Sequence, residues 1–192
     1  QAWAELIKES GAKYTILTTK HHDGVALWDT DLSKLNVMDK TPAGRDLVGP
    51  FVKAARDQEL RVGLYYSLLD WSDPNYPNFT RREKRYEEDA EKWDRFVQFN
   101  FGQLRELSTR YRPDLYWFDG DWEQSAEKWK AKSLRDSLLF WNPEVILNSR
   151  LQGYGDYATP EQGVPVARPK EDYWELCLSL IHISEPTRRH LI

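Results

Sequence analysis

An α/β fold built on a parallel sheet, of the (β/α)8 barrel kind, is what this sequence predicts, and three observations carry it. Helical and strand-like patterns alternate four times along the chain. The strand-like runs are short and too apolar to be half exposed, as strands covered on both faces are. Polar residues gather directly after each run: His21 and His22, Ser67 and Asp70, Asp119 and Asp121, Ser149 and Arg150. A barrel of this kind assembles its site at the C-terminal ends of several strands. A doubly wound sheet would usually show a glycine-rich phosphate loop after its first strand, and none is visible.

The elements follow in order. Residues 2–10 place Trp3, Leu6 and Ile7 at helical spacing, with Gly11 positioned to end the helix. YTILTT, residues 14–19, is a β-branched and aromatic run of strand length. The His21-His22-Asp23-Gly24 loop follows, and residues 25–44 read as a long irregular connection rich in breakers. Asp46 is placed to cap a helix through about Glu59, and RVGLYYS, residues 61–67, is a second strand. Residues 70–80 are loop chemistry, and residues 81–111 read as one long helix stopped by Pro113. LYWF, residues 115–118, is a third strand; a helix fits residues 125–140; VILN, residues 145–148, is a fourth strand.

Composition narrows the function. The 192 residues are 40% hydrophobic and 30% charged, which is globular and not disordered. A net charge of −4 lacks the basic footprint of a general nucleic-acid binder. No apolar run of about 18 residues is present, so no membrane span is expected. The single cysteine, Cys177, excludes an internal disulfide framework. Nine tryptophans and 14% aromatic residues suit either a core of large side chains or flat faces for a sugar ring.

Asp119 directly follows an apolar strand, where a carboxylate can be held at a cavity edge as nucleophile, base, metal ligand or simple cap. Glu161, in the loop TPEQG, completes a two-carboxylate pair of the glycosidase type, or is a surface charge. His21 and His22 would point to opposite sides if extended geometry continued. With Asp23 they suggest a metal at first sight, but His182 and His190 are the only other histidines, and hydrogen bonding to a polar ligand, or equally a structural role for one of the two, is the better reading. Arg150 could bind an anion or hydroxyls as a fork, or form an ordinary ion pair. Tyr66 and Trp117 could line a pocket or pack.

Three segments in this order, TKHHDGVALWD (19–29), GLYYSLLDW (63–71) and RPDLYWFDGDWE (112–123), together with the short pieces NSR and TPE, resemble the α-L-fucosidases of glycoside hydrolase family 29. The resemblance runs from Gln1 to about Cys177. It implies a retaining hydrolase of terminal α-L-fucose, with Asp119 as nucleophile, Glu161 as general acid/base, and His21, His22, Tyr66, Trp117 and Arg150 against the sugar. Trp117 would offer a flat face to the apolar side of fucose, and both histidines would donate to its hydroxyls. No metal or organic cofactor is implied. The partner implied is a fucosylated oligosaccharide or glycoconjugate, and the expected setting is periplasmic, secreted or lysosomal. A fucose-binding protein without turnover, on the same scaffold, is the alternative.

Set against that family, the first barrel strand and the last ones are expected to lie outside this sequence. Residues 1–177 are expected to be a fragment of the catalytic barrel domain. Residues 178–192, containing LSLIHISEPTR, resemble a translated sequencing adapter and are expected to be a non-native tail.

Overall fold

In a computed structural model, residues 1–78, 85–87, 89–161, 167 and 172–177 are described. The expected tail at 178–192 lies outside the described residues. The order is α1 (Ala2–Glu9), β1 (Tyr14–Lys20), α2 (Val37–Lys40), α3 (Val48–Asp57), β2 (Arg61–Ser67), α4 (Ala90–Tyr111), β3 (Leu115–Asp119), a 3-10 turn (Asp121–Glu123), α5 (Ala131–Trp141) and β4 (Ile146–Leu147). The four strands form one parallel sheet in the order β1-β2-β3-β4. Each strand therefore pairs with the next in sequence through a helical crossover, which is an α/β fold.

The local chemistry explains most boundaries. Gly11 takes a left-handed φ of +85° after α1. Asp46 accepts hydrogen bonds from the Val48 and Gly49 amides at 2.8 and 3.1 Å, so it satisfies the first donors of α3 as its position suggested. The long helix begins later than its charge pattern implies. Residues 85–87 are not helical, residues 79–84 and 88 lie outside the described residues, and α4 starts where Asp89 accepts from the Lys92 amide at 3.0 Å. Residues 126–130 form turns, and α5 starts only after Lys130, whose φ of +50° interrupts the helix. The short helix α2 stands inside the stretch read as irregular, capped by the Asn36 side chain on the Asp39 amide.

Helices α3, α4 and α5 cover one face of the sheet. There Val62, Leu64 and Tyr66 of β2 and Tyr116 and Phe118 of β3 are buried with Val52, Phe96, Leu104 and Leu134 of the helices. The alternate residues of the same strands face the other way. A smaller cluster, Leu115, Trp117 and Tyr157 with Ile16, Tyr65 and Cys177 against it, lies on that second face.

One irregularity positions the site. The β1–β2 register shifts between Thr18 and Lys20, where the Thr19 hydroxyl donates to the Tyr65 carbonyl at 2.7 Å. The shift brings Lys20 beside Tyr66 on the helix-covered face. Its ammonium is fully buried, 3.0 Å from the Tyr66 hydroxyl and 3.2 Å from Asp70 Oδ2. Burial pulls its pKa below the ordinary lysine value, and the Asp70 charge opposes that pull. Asp70 also accepts from the Ser72 amide and hydroxyl and the Asp73 amide, so one carboxylate organises the loop after β2. The Trp71 amide then donates to the His22 carbonyl at 2.8 Å, tying that loop to the one after β1. Gly24 sits where the loops meet, with φ of +84°. A Cβ there would come within 2.2 Å of Asp70 Oδ1 and Ser72 Oγ, so only glycine fits.

Breaking this pair from its two ends should have unequal effects. Asp70→Ala leaves a buried ammonium uncompensated and is expected to cost about 3 kcal/mol or more. Lys20→Met removes the charge and leaves Asp70 with its three remaining donors, so it should cost less. Thermal unfolding of the two variants checks this, and equal losses would contradict the pairing argument.

Candidate active site

The parallel register sets strand ends side by side. Ser67 pairs with Asp119, and Tyr65 with Trp117. Asp119 is therefore the last residue of β3, on the second face, and only 9% exposed. Its position is fixed from the neighbouring strand. The Asn148 side chain accepts from the Phe118 amide at 2.8 Å and donates to the Phe118 carbonyl at 2.9 Å. A side-chain amide thus takes the place of a peptide group where β4 stops.

Asp119 carries two direct hydrogen bonds. Arg150 Nη1 donates to Oδ1 at 2.9 Å and the Tyr65 hydroxyl donates to Oδ2 at 2.8 Å. His22 Nε2 lies 3.8 Å from the same Oδ2. The other terminal nitrogen of Arg150 donates to Glu161 Oε2 at 2.7 Å, so a single guanidinium bridges both carboxylates. Arg150 is itself held by Thr159 Oγ1 at 3.2 Å. Burial works against its charge, but the bonds to Glu161 and Asp119 hold its pKa above the ordinary arginine value. Burial, then the Asp119 charge, pushes the Tyr65 phenol far above its ordinary pKa, so it serves Asp119 as a neutral donor at any working pH. Burial, then the neighbouring His21, lowers the His22 pKa; Asp119 and Asp23 pull it back in part.

Planar groups form a row across the sheet. His21 stacks on Tyr65 with centroids 5.5 Å apart and planes 1° from parallel, and Tyr65 stacks on Trp117 at 5.5 Å and 18°. The Arg150 guanidinium lies 4.4 Å over the Trp117 ring. Each strand or the loop after it supplies one member, so the spacing follows that of the strands.

Six of the seven expected site residues converge here: Asp119, Glu161, His21, His22, Arg150 and Trp117. Two expectations need correcting. Tyr66 is not in the cluster. It is fully buried on the helix-covered face, its hydroxyl 2.8 Å from both Asn100 Oδ1 and Gln103 Oε1. Tyr65, one residue earlier and on the opposite face, takes the place against Asp119. Trp117 is in the cluster but offers no free face. Sheet order puts Tyr65 against one side and Arg150 against the other, only 7% of the residue is exposed, and its indole N–H donates to Glu175 at 3.1 Å. The two histidines do not point apart either. The chain leaves extended geometry after Lys20, and their rings lie 4.2 Å apart.

This separation of the two tyrosines is testable. Tyr65→Phe removes a donor to Asp119 and should lower kcat/KM roughly tenfold with little change in Tm. Tyr66→Phe should do the reverse, lowering Tm while leaving kcat in place. Initial rates and melting curves of the two variants decide it.

One ligand atom from each of His21, His22 and Asp119 could face a common cation, all within 4.8 Å of one another. Arg150 on the same carboxylate sets a positive charge against a metal there. What the cluster brings together is two carboxylates on one guanidinium at the C-terminal ends of parallel strands, the groups that glycoside hydrolysis requires.

Comparison with known proteins narrows the class. The family model described as alpha-L-fucosidase matches residues 1–184. The chain belongs to the α-L-fucosidase family. It is 36% identical to the bovine tissue alpha-L-fucosidase over 99% of this chain and 41% of that protein, and 34% identical to the human one over 100% and 41%. Among solved structures, alpha-L-fucosidase isoenzyme 1 from Paenibacillus thiaminolyticus is similar at a TM-score of 0.82 and 36% identity, covering 92% of this chain and 47% of that one. A GH29 alpha-L-fucosidase from Bacteroides thetaiotaomicron, solved as a trapped covalent intermediate, is similar at 0.78 and 36%, covering 92% and 44%. The chain thus spans about two fifths of the length of the curated relatives it matches. Among the described residues no helix is long and apolar enough to cross a membrane.

Proposed function

We propose that the whole protein hydrolyses terminal α-L-fucosides with retention of configuration, and that these four strands are consecutive staves of a (β/α)8 barrel. The observation that carries the reading is Arg150 spanning Asp119 and Glu161. Two carboxylates held by one planar guanidinium stand near enough to act on one glycosidic bond, and the trapped covalent intermediate of the similar Bacteroides thetaiotaomicron enzyme supports double displacement.

The steps follow from the groups present. The Asp119 carboxylate attacks the anomeric carbon as the bond to the leaving oxygen breaks. That oxygen keeps the bonding pair and takes the proton of Glu161. Water then attacks the fucosyl ester, Glu161 takes its proton, and Asp119 leaves as the anion. Glu161 is half exposed in the resting arrangement and bonded to Arg150, so it must exchange that contact for the leaving oxygen as substrate enters. The substrate is a fucosylated oligosaccharide or glycoconjugate. The chemistry asks for no metal or organic cofactor.

Proton NMR of the first product formed from an aryl α-L-fucoside tests the reading. Initial release of α-L-fucose is expected, and initial β-L-fucose would refute double displacement. Binding of fucose with no release from any fucoside would favour a lectin-like protein instead.

A further inference from the structure

Ser67 is fully buried at the end of β2, and its hydroxyl makes two contacts. It lies 2.8 Å from the Leu69 carbonyl oxygen and 2.6 Å from His22 Nδ1. A hydroxyl has one proton and a carbonyl oxygen has none. The contact with Leu69 is therefore a hydrogen bond only if Ser67 donates to it. That leaves an oxygen lone pair toward His22, and the 2.6 Å contact is attractive only if Nδ1 carries a proton. Any other assignment puts two lone pairs against each other in a buried place, where an unpaired polar group is costly. In neutral His22 the second nitrogen, Nε2, is then bare.

Nε2 faces Asp119 Oδ2 at 3.8 Å, beyond direct hydrogen-bond distance. Oδ2 already accepts from the Tyr65 hydroxyl, so it is the bare Nε2 that calls for a donor. We propose that Ser67 is a positioning residue that fixes His22 as the Nδ1–H tautomer, so that His22 accepts a hydrogen bond from a substrate hydroxyl beside the nucleophile. This reverses the donor role the sequence suggested for His22. It also keeps Nε2–H from donating to Asp119 and blunting the attacking oxygen. The tautomer follows from the geometry alone; the role toward a sugar hydroxyl rests on the fucosidase reading.

The first test needs no substrate. Nitrogen-15 NMR of the imidazole nitrogens distinguishes the two neutral tautomers in the whole protein, with His22→Gln giving the assignment. The wild type should show a protonated Nδ1 and an unprotonated Nε2 at His22, and the opposite pattern would overturn the proposal. In Ser67→Ala the His22 signals should move toward the Nε2–H form, and Ser67→Thr, which keeps the hydroxyl, should restore the wild-type pattern. An unmoved tautomer in Ser67→Ala would also overturn it. The second test is kinetic. Ser67→Ala should lose roughly tenfold in kcat/KM, recovered in Ser67→Thr, and unchanged kinetics would sink the positioning role. If the wild type cleaves no fucoside, the fucosidase reading fails, while the NMR result still decides the tautomer.

Discussion

Asp119→Gly is expected to lose roughly 10⁴-fold in turnover of aryl fucosides, the scale on which removing a catalytic nucleophile acts. The geometry makes a sharper statement than the loss itself. The substitution empties the space that the carboxylate fills while leaving Arg150 and Tyr65 aimed into it at their present positions. A guanidinium nitrogen and a neutral phenol are donors, so the emptied place is an anion site. Added azide should enter it, attack the anomeric carbon directly and restore part of the rate. That is one displacement in place of two, so the product should be the fucosyl azide of inverted configuration. A structural role for Asp119 would give neither rescue nor an inverted azide. Turnover within tenfold of the wild type would remove Asp119 from the mechanism.

Much of this arrangement was legible in the sequence, and the misses share one cause. Asp119 directly follows the apolar run LYWF and Arg150 lies two residues past VILN, although Asp121 and Glu123 are near enough that only the family resemblance singles Asp119 out. Both are changes of character along the chain, which a sequence displays openly. The tyrosines are different. In GLYYS both neighbours are aromatic, and β2 is largely buried on its two faces, so no polar contrast says which tyrosine faces the helices. The register settles it: Tyr65 pairs with Trp117 and Ser67 with Asp119, so residues two apart share the face of the nucleophile. The adjoining Ser67 could have given this phase, as a small polar residue at a strand end. Trp117 lacks an open ring face for a related reason. Its type announces a flat surface, but whether that surface is free depends on neighbours one strand away on either side. Lys20 shows the same limit. Only the shifted register reveals that its charge is buried against Asp70.

Glu161→Ala should separate the two chemical steps by leaving group. Protonation matters most when the departing oxygen is strongly basic, as in a sugar–sugar link, and least for fluoride or a dinitrophenolate. Natural-type fucosides are therefore expected to lose about 10²–10⁴-fold, while fucosyl fluoride should still load Asp119 at a rate near that of the wild type. Hydrolysis of the ester also needs Glu161, this time as base, so the fucosyl-enzyme should accumulate. Intact-protein mass spectrometry would then show an added fucosyl group absent from the wild type under the same turnover. The resting ion pair adds a control. Glu161→Gln can still accept from Arg150 through its amide oxygen, whereas Glu161→Ala frees one guanidinium nitrogen. If both variants show the same leaving-group dependence, the loss belongs to the proton. If only Glu161→Ala is impaired, Glu161 acts by holding Arg150 against Asp119, and the acid/base must be sought elsewhere.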